Sequence, residues 1–246
     1  MSGRIGRRGL LASGAAFLAS PALARWPQSI PEGLIFFVGN SFTRQHDVAG
    51  MVCAIAAEAG VAAHCHRQTA NGAKLDDSIS TPRVLAADWG AAIPAPVVLQ
   101  DHSTEPLTSE SRDRSAQAMA VYSRHFQRTV LFETWPRRSG HALYRQPGMP
   151  RTPQEMARLT HDHYTAQAQR LDAALAPVAP AWIEAGDQGV DLYAADGYHA
   201  NPAGAWLCAM LLAHALGIAG ATEATAPNTV PKPIRPALKR IAGAAP

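Results

Sequence analysis

The segment DGYHANP near the end of the chain contains an aspartate and a histidine, Asp196 and His199, three residues apart on a predicted tight loop. Their side chains can meet there, so that the carboxylate holds the imidazole in one tautomer and leaves its other nitrogen free to accept a proton from a hydroxyl. Ser41, in the segment GLIFFVGNSFT, is a serine that such a base would activate, because an unassisted hydroxyl is a weak nucleophile. Two structural interpretations stay open: Asn40 and Ser41 as a helix cap, and the Asp-x-x-His segment as a surface turn.

The residues before Ser41 predict the element that positions it. Leu34 to Val38 form an unbroken apolar run, which is typical of a strand buried on both faces of a parallel sheet. Gly39 then allows a sharp turn at the carboxyl end of the strand, the edge at which open α/β sheets bind ligands. The sequence therefore places Ser41 where a nucleophile would stand.

Strands and helices alternate along the rest of the chain, which predicts a parallel sheet with right-handed crossovers in a three-layer α/β domain. About five strands are expected, and no internal repeat or domain boundary is evident. The further strands are predicted at 61–67, 96–100, 129–134 and 179–184. The helices are predicted at 48–60, 78–87, 111–125, 153–175 and 203–216.

Four short blocks occur in an order that resembles the SGNH hydrolase superfamily, also called GDSL esterases. They are GNSFT at the start, a glycine after the second strand, a polar residue after the third, and DGYHANPAG near the end. The resemblance spans Gly39 to Gly204 and implies a flavodoxin-like α/β/α fold with a serine hydrolase activity. Two blocks depart from the family pattern: Asn40 replaces an aspartate, and Leu99 to Ser103 (LQDHS) replaces Gly-x-Asn-Asp.

The resemblance implies roles for individual residues. Ser41 would be the nucleophile, His199 the general base and Asp196 its orienting partner. The backbone N–H groups of Ser41 and Gly72 would donate to the oxyanion, and the Gln100 amide would stand in for the asparagine of the third block.

Further substrate contacts are expected around this centre. Asn71 is an alternative oxyanion donor, His102 is expected to line the pocket, and Trp135 is expected to stack on a sugar ring. Arginines in the insertion that follows, Trp135 to Pro153, could hold carboxylates, although this loop could equally pack on itself. His64 and His66 would share one face of a strand but without a third ligand nearby, and His161 and His163 would not face each other on a helix, so no metal site is predicted. No organic cofactor is implied either. Glu133 and Glu184, near strand ends, are a further alternative as a carboxylate pair for glycoside cleavage.

The N-terminus predicts export rather than a folded element. Residues 1–24 combine Arg4, Arg7 and Arg8 with a short apolar stretch and an Ala-x-Ala site, which resembles a twin-arginine signal; a retained anchor is the alternative. The full chain has 22 basic and 19 acidic residues, so removing three arginines leaves 19 of each, with no excess positive charge to attract nucleic acid. The hydrolase domain is predicted over 25–220 and an Ala/Pro-rich tail, wrapping the surface or disordered, over 221–246.

Three cysteines leave two redox arrangements open. Cys53 and Cys65 are the expected disulfide after export, with Cys208 as a free thiol, and three buried thiols are the alternative.

The sequence thus predicts an exported, periplasmic or extracellular serine esterase. It would remove a short acyl group, such as O-acetyl, from a small-molecule or carbohydrate ester, without nucleic-acid partners or a membrane span after signal cleavage. A catalytically weak or inactive glycan-binding protein and an O-acyltransferase that uses the same three residues are the alternatives. The oligomeric state is not indicated.

Overall fold

The computed structural model describes residues 33–78 and 93–245, so the predicted signal at 1–24 and nearly all of the predicted helix at 78–87 lie outside the described residues. The expected parallel sheet of five strands is confirmed, in the order β2-β1-β3-β4-β5. The strands are β1 (Gly33–Gly39), β2 (Ala63–Thr69), β3 (Ile93–Leu99), β4 (Phe126–Phe132) and β5 (Ala174–Ala176).

Helices cover both faces of this sheet, which gives the expected α/β/α layers. They are α1 (Ser41–Arg44), α2 (Val48–Glu58), α3 (Ser109–Ser123), α4 (Pro153–Leu171), α5 (Val178–Asp187), α6 (Pro202–Ala215) and α7 (Arg235–Ala244). Helices α2, α5, α6 and α7 pack in one apolar cluster, and α3 and α4 pack in the other.

The apolar run of β1 supplies both clusters. Successive strand side chains point to opposite faces, so Ile35 and Phe37 enter the α2/α6 side while Phe36 and Val38 enter the α3/α4 side. All four side chains are at most 5% exposed. A strand buried on both faces explains why the sequence shows a continuous apolar run and no alternation.

The strand predicted at 179–184 is wrong. The fifth strand is the shorter segment Ala174–Ala176, and Val178–Asp187 forms helix α5. Buried Val178, Ala181, Trp182 and Ala185 recur at the three- and four-residue spacing of a helix, which a short apolar segment does not reveal by itself. The preceding helix ends at Leu171 because Asp172 adopts a left-handed conformation with φ of 50°.

The segment after α6 is ordered and packs on the domain, so of the two expectations for the tail the structure favours wrapping. It ends in an additional helix, α7, which the sequence analysis missed. Leu238, Ile241 and Ala242 are buried at helical spacing and join the apolar cluster of α2 and α6.

A disulfide between Cys53 and Cys65 joins α2 to β2, with a Cα–Cα distance of 6.1 Å, and Cys208 is a buried free thiol. Within residues 33–78 and 93–245, none of the helices has the length and apolar character needed to cross a bilayer.

Helices α3 and α4 are joined by a buried hydrogen bond between His163 and Ser115, 3.2 Å long. Burial, with a smaller effect of nearby Arg112 and Arg170, lowers the pKa of His163 from 6.5 to about 4. The unfolded chain therefore binds a proton at this histidine at a higher pH than the folded chain, so acid favours unfolding.

We expect the contribution of neutral His163 to the free energy of unfolding to be fully present above pH 6.5 and to be lost as the pH falls from 6.5 towards about 4. His163→Gln can keep a hydrogen bond to Ser115 but cannot be charged, so wild type should lose roughly 3 kcal/mol relative to this variant over that interval. Urea unfolding at a series of pH values measures this difference. Parallel stability curves for the two proteins would contradict the assignment.

Candidate active site

Ser41 stands at the first position of α1, directly beyond the carboxyl end of β1. Asn40 caps this short helix, since its Oδ1 accepts a hydrogen bond from the Phe42 N–H at 3.1 Å. Gly39 lets the chain turn tightly here, because an added Cβ would lie 2.6 Å from both Gln100 Oε1 and Thr43 Oγ1. The cap proposed from the sequence is therefore real, and it holds the serine in place.

The loop before α6 brings the aspartate and the histidine to this serine. Ser41 Oγ lies 2.9 Å from His199 Nε2, and His199 Nδ1 lies 2.7 Å from Asp196 Oδ2. Burial raises the pKa of Asp196, but hydrogen bonds from the backbone N–H groups of Tyr198 and His199 and from the His199 ring outweigh it, and the pKa falls to about 2. The carboxylate is thus ionised near neutral pH, and the imidazole Nδ1 is the donor to it.

Ser41 and Gly72 line the same cleft, and their backbone N–H groups have no acceptor among the described residues. Gly72 takes a left-handed conformation with φ of 67°, which a residue with a Cβ rarely adopts. The Asn40 amide donates to Ala73 O at 3.0 Å and so ties the Gly72 loop to the nucleophile turn. Both N–H groups are available to an oxyanion.

These groups line a cleft of about 230 Å³. Of the residues predicted to contact substrate, Asn71 and His102 also line it. Asn71 Oδ1 accepts a hydrogen bond from Arg44 at 2.6 Å, and His102 Nδ1 is 2.8 Å from Thr104 Oγ1. Burial, followed by the charge of Arg137, lowers the pKa of His102, so this side chain is a neutral hydrogen-bonding group.

No protein-family model and no curated protein matches this chain. Solved structures do. A protein from Slackia heliotrinireducens described as a candidate SGNH hydrolase is 27% identical with a TM-score of 0.58, over 76% of this chain and 100% of that one. A DUF4886 family protein from Bacteroides uniformis is 15% identical with a TM-score of 0.67, over 85% and 92%. An acetyl xylan esterase variant from Geobacillus stearothermophilus is 10% identical with a TM-score of 0.57, over 78% and 98%. The chain has the SGNH hydrolase fold.

The expectation that Gln100 replaces the SGNH oxyanion asparagine is corrected by its surroundings. Gln100 is 1% exposed and does not line the cleft. Its Oε1 accepts from the Asn40 N–H at 3.0 Å and from Thr43 Oγ1 at 2.9 Å, and its Nε2 donates to Asp101 O. The amide therefore fastens the nucleophile turn to the end of β3 and is not available to a substrate.

The expectation that Trp135 stacks on a sugar is also corrected, because Trp135 is fully buried. Its indole lies between Phe42 and Trp182, with ring centroids at 4.3 and 4.4 Å. Its Nε1 donates to Tyr198 O at 2.9 Å. Trp135 is a positioning residue that holds the histidine loop against the nucleophile turn.

Two side chains at this site, Tyr198 and His46, have no role predicted from the sequence, whereas Arg137 belongs to the insertion whose arginines could hold carboxylates. Tyr198 packs on His199 with a centroid distance of 3.9 Å, and His46 donates from Nε2 to Ala200 O at 3.1 Å. Arg137, from the insertion after β4, reaches the cleft. Tyr198 lies inside the Asp-x-x-His block and could have been singled out there, whereas the contact of His46 spans 154 residues and leaves no local signal.

The described residues do not support the two competing interpretations, a carboxylate pair for glycoside cleavage and a histidine metal site. Glu133 hydrogen-bonds with His161 and the Ala179 N–H, while Glu184 hydrogen-bonds with Gln188 on the surface of α5. His163 contacts Ser115, away from His161. Within the described part of the chain, no group of three or more His, Cys, Asp or Glu side chains is arranged to hold a metal ion.

The structural role of Gln100 is tested by Gln100→Ala. Removing the acceptor leaves the buried Asn40 N–H unsatisfied, so the free energy of unfolding should fall by about 1–3 kcal/mol. When the variant is assayed well below its Tm, so that it is folded, its kcat should fall by much less than the factor of roughly 10²–10³ expected for a lost oxyanion donor. Urea unfolding and ester kinetics together decide the matter; a large fall in kcat with unchanged stability would restore Gln100 as the donor.

Proposed function

We propose that this chain is a serine esterase that removes a short acyl group by way of an acyl-enzyme. The observation that supports this most directly is the unbroken hydrogen-bonded series from Ser41 through His199 to Asp196 inside a cleft. A nucleophile, a base and a group that orients the base are the set that acyl transfer needs.

In the proposed mechanism, Ser41 Oγ attacks the ester carbonyl while His199 Nε2 accepts its proton. The Asp196 carboxylate stabilises the imidazolium. The backbone N–H groups of Ser41 and Gly72 stabilise the negative charge on the carbonyl oxygen. His199 then returns the proton to the leaving alcohol, and the same residue activates the water that hydrolyses the acyl-enzyme.

A short acyl group fits the small volume of the cleft, about 230 Å³. We propose O-acetyl on a carbohydrate or a related envelope molecule as the substrate. An acetyl xylan esterase among the structural neighbours demonstrates that this fold supports such a reaction in another protein. The Cys53–Cys65 disulfide supports our proposal of a periplasmic or extracellular location, where disulfides persist.

One observation favours a second candidate, a protein that binds glycans without turnover. Because the Gln100 amide is bonded to protein groups at both ends, it does not supply the third oxyanion donor expected from the sequence, and a lost donor lowers kcat by about 10²–10³. Acyl transfer to a sugar hydroxyl uses the same three side chains and differs only in which hydroxyl attacks the acyl-enzyme.

Hydrolysis of p-nitrophenyl acetate by wild type, Ser41→Ala and His199→Ala tests the esterase proposal. We expect wild type to release p-nitrophenol faster than buffer does, and each substitution to lower kcat by at least about 10³, because the nucleophile and its base act as a unit. Longer acyl chains should react more slowly, because the cleft is small. Acetate that appears on an added glycan would identify acyl transfer.

Activity that survives Ser41→Ala would contradict the assignment of the nucleophile. Absence of activity on p-nitrophenyl acetate and on acetylated sugars alike, in protein whose Ser41 also fails to react with an activated phosphonate, would favour the binding protein.

A further inference from the structure

Arg137 is a buried cation at the candidate active site without a carboxylate partner. The residue is 7% exposed, yet it lines the cleft. Its Nε and Nη1 atoms have no hydrogen-bond partner among the described residues, and no salt bridge described in the structure includes it. A buried charge without a partner is costly, so a side chain held in this state is expected to serve a ligand.

The guanidinium is fixed in position by its neighbours. Nη2 donates to Ser103 Oγ at 2.8 Å, in the loop that follows β3. The Arg137 Cζ atom lies 4.4 Å from the centre of the Tyr198 ring and 5.6 Å from that of Phe42. These contacts hold one end of the guanidinium and place it against the Tyr198 ring, while its buried Nε and Nη1 atoms have no protein acceptor among the described residues.

The charge of the cleft favours an anion. Its described lining includes two arginines, Arg137 and Arg44, and no aspartate or glutamate. The nearby Asp196 carboxylate accepts from the His199 ring and from two backbone N–H groups, so it is already engaged. A cleft whose lining carries charge of one sign, with walls of low dielectric constant, attracts ligands of the opposite charge.

The position of Arg137 indicates which part of an ester it would meet. His199 returns its proton to the leaving alcohol, so that alcohol must lie on the imidazole side of the serine. The guanidinium stacks on Tyr198, and Tyr198 in turn packs on His199 at 3.9 Å. The cation therefore lies on the alcohol side of the scissile bond.

We propose that the substrate is an ester whose alcohol portion carries a carboxylate, such as an acylated acidic sugar, and that Arg137 binds that carboxylate. This inference rests on the proposed esterase function and specifies its substrate class. A single buried guanidinium suits a single negative charge, and N–H groups of guanidinium match carboxylate oxygens well.

The test compares acetate release from meta- and para-acetoxybenzoate with release from the corresponding acetoxybenzamides, which have the same shape without the charge. In wild type, kcat/KM should favour the carboxylate by at least about tenfold for one isomer, the size expected of a hydrogen bond to a charged group. In Arg137→Gln the preference should fall to about one, and Arg137→Lys should keep part of it.

The matched control is Arg138→Gln. This neighbouring arginine is 46% exposed, pairs with Asp191 and does not line the cleft, so the variant loses the same charge and should keep the preference. Thermal unfolding identifies variants that are misfolded; should Arg137→Gln be one, the wild-type preference and Arg137→Lys still test the proposal.

A binding measurement separates this inference from the esterase proposal. Ser41→Ala protein should bind meta- or para-hydroxybenzoate more tightly than the hydroxybenzamides in calorimetry, by about tenfold, and should lose that difference when Arg137→Gln is added. This result needs no turnover, so it can succeed where the esterase proposal fails.

Two outcomes would overturn the inference. A carboxylate site is excluded if the wild-type protein shows no preference for the charged member of either pair, in turnover or in binding. Equal losses of kcat/KM for charged and neutral esters in Arg137→Gln would instead place the guanidinium on the oxyanion.

Discussion

The stacked side chains of Phe42, Trp135 and Trp182 are the contact on which the candidate site depends. Phe42 directly follows Ser41, Trp182 belongs to α5, and Trp135 lies between them with its Nε1 bonded to Tyr198 O. Ser41 and His199 are 158 residues apart, and their 2.9 Å contact requires both loops to be held within a fraction of an ångström. A fully buried aromatic stack supplies that rigidity, because packed interiors do not deform continuously.

The polar groups around the site fall into two kinds, and hydrogen-bond partners tell them apart. Gln100 has the residue type of an oxyanion donor, but both ends of its amide bond to protein groups, so its role is structural. Arg137 is also buried, yet two of its nitrogens have no partner within the described chain. A buried polar group without a partner needs an explanation, and a functional role at a ligand site is one of those available. Burial alone would have classed these two residues together.

The sequence predicted what depends on local pattern. The apolar run of β1, the turn at Gly39 and the Asp-x-x-His loop are each encoded within a few residues, and the structure has all three. The wrong predictions concern side chains whose contacts lie far away along the chain, or short apolar segments whose spacing fits both a helix and a strand. Gln100 bonds to Asn40 across 60 residues, and Trp135 was assigned to the pocket because nothing nearby in sequence shows Trp182. Segment 179–184 is predicted as a strand because so short an apolar segment fits either period, whereas the structure has a helix over Val178–Asp187.

Together these features indicate how a cleft of this construction would divide its binding energy. In the proposed mechanism the backbone N–H groups of Ser41 and Gly72 stabilise the oxyanion, without the third donor that Gln100 was expected to supply. A small cleft also limits what the acyl group can contribute. Interactions with remote parts of a substrate can be used to orient the reacting atoms, and this is the role that we propose for Arg137. If Arg137 binds a carboxylate as proposed, small neutral esters lack that group and should turn over more slowly than esters whose alcohol carries it.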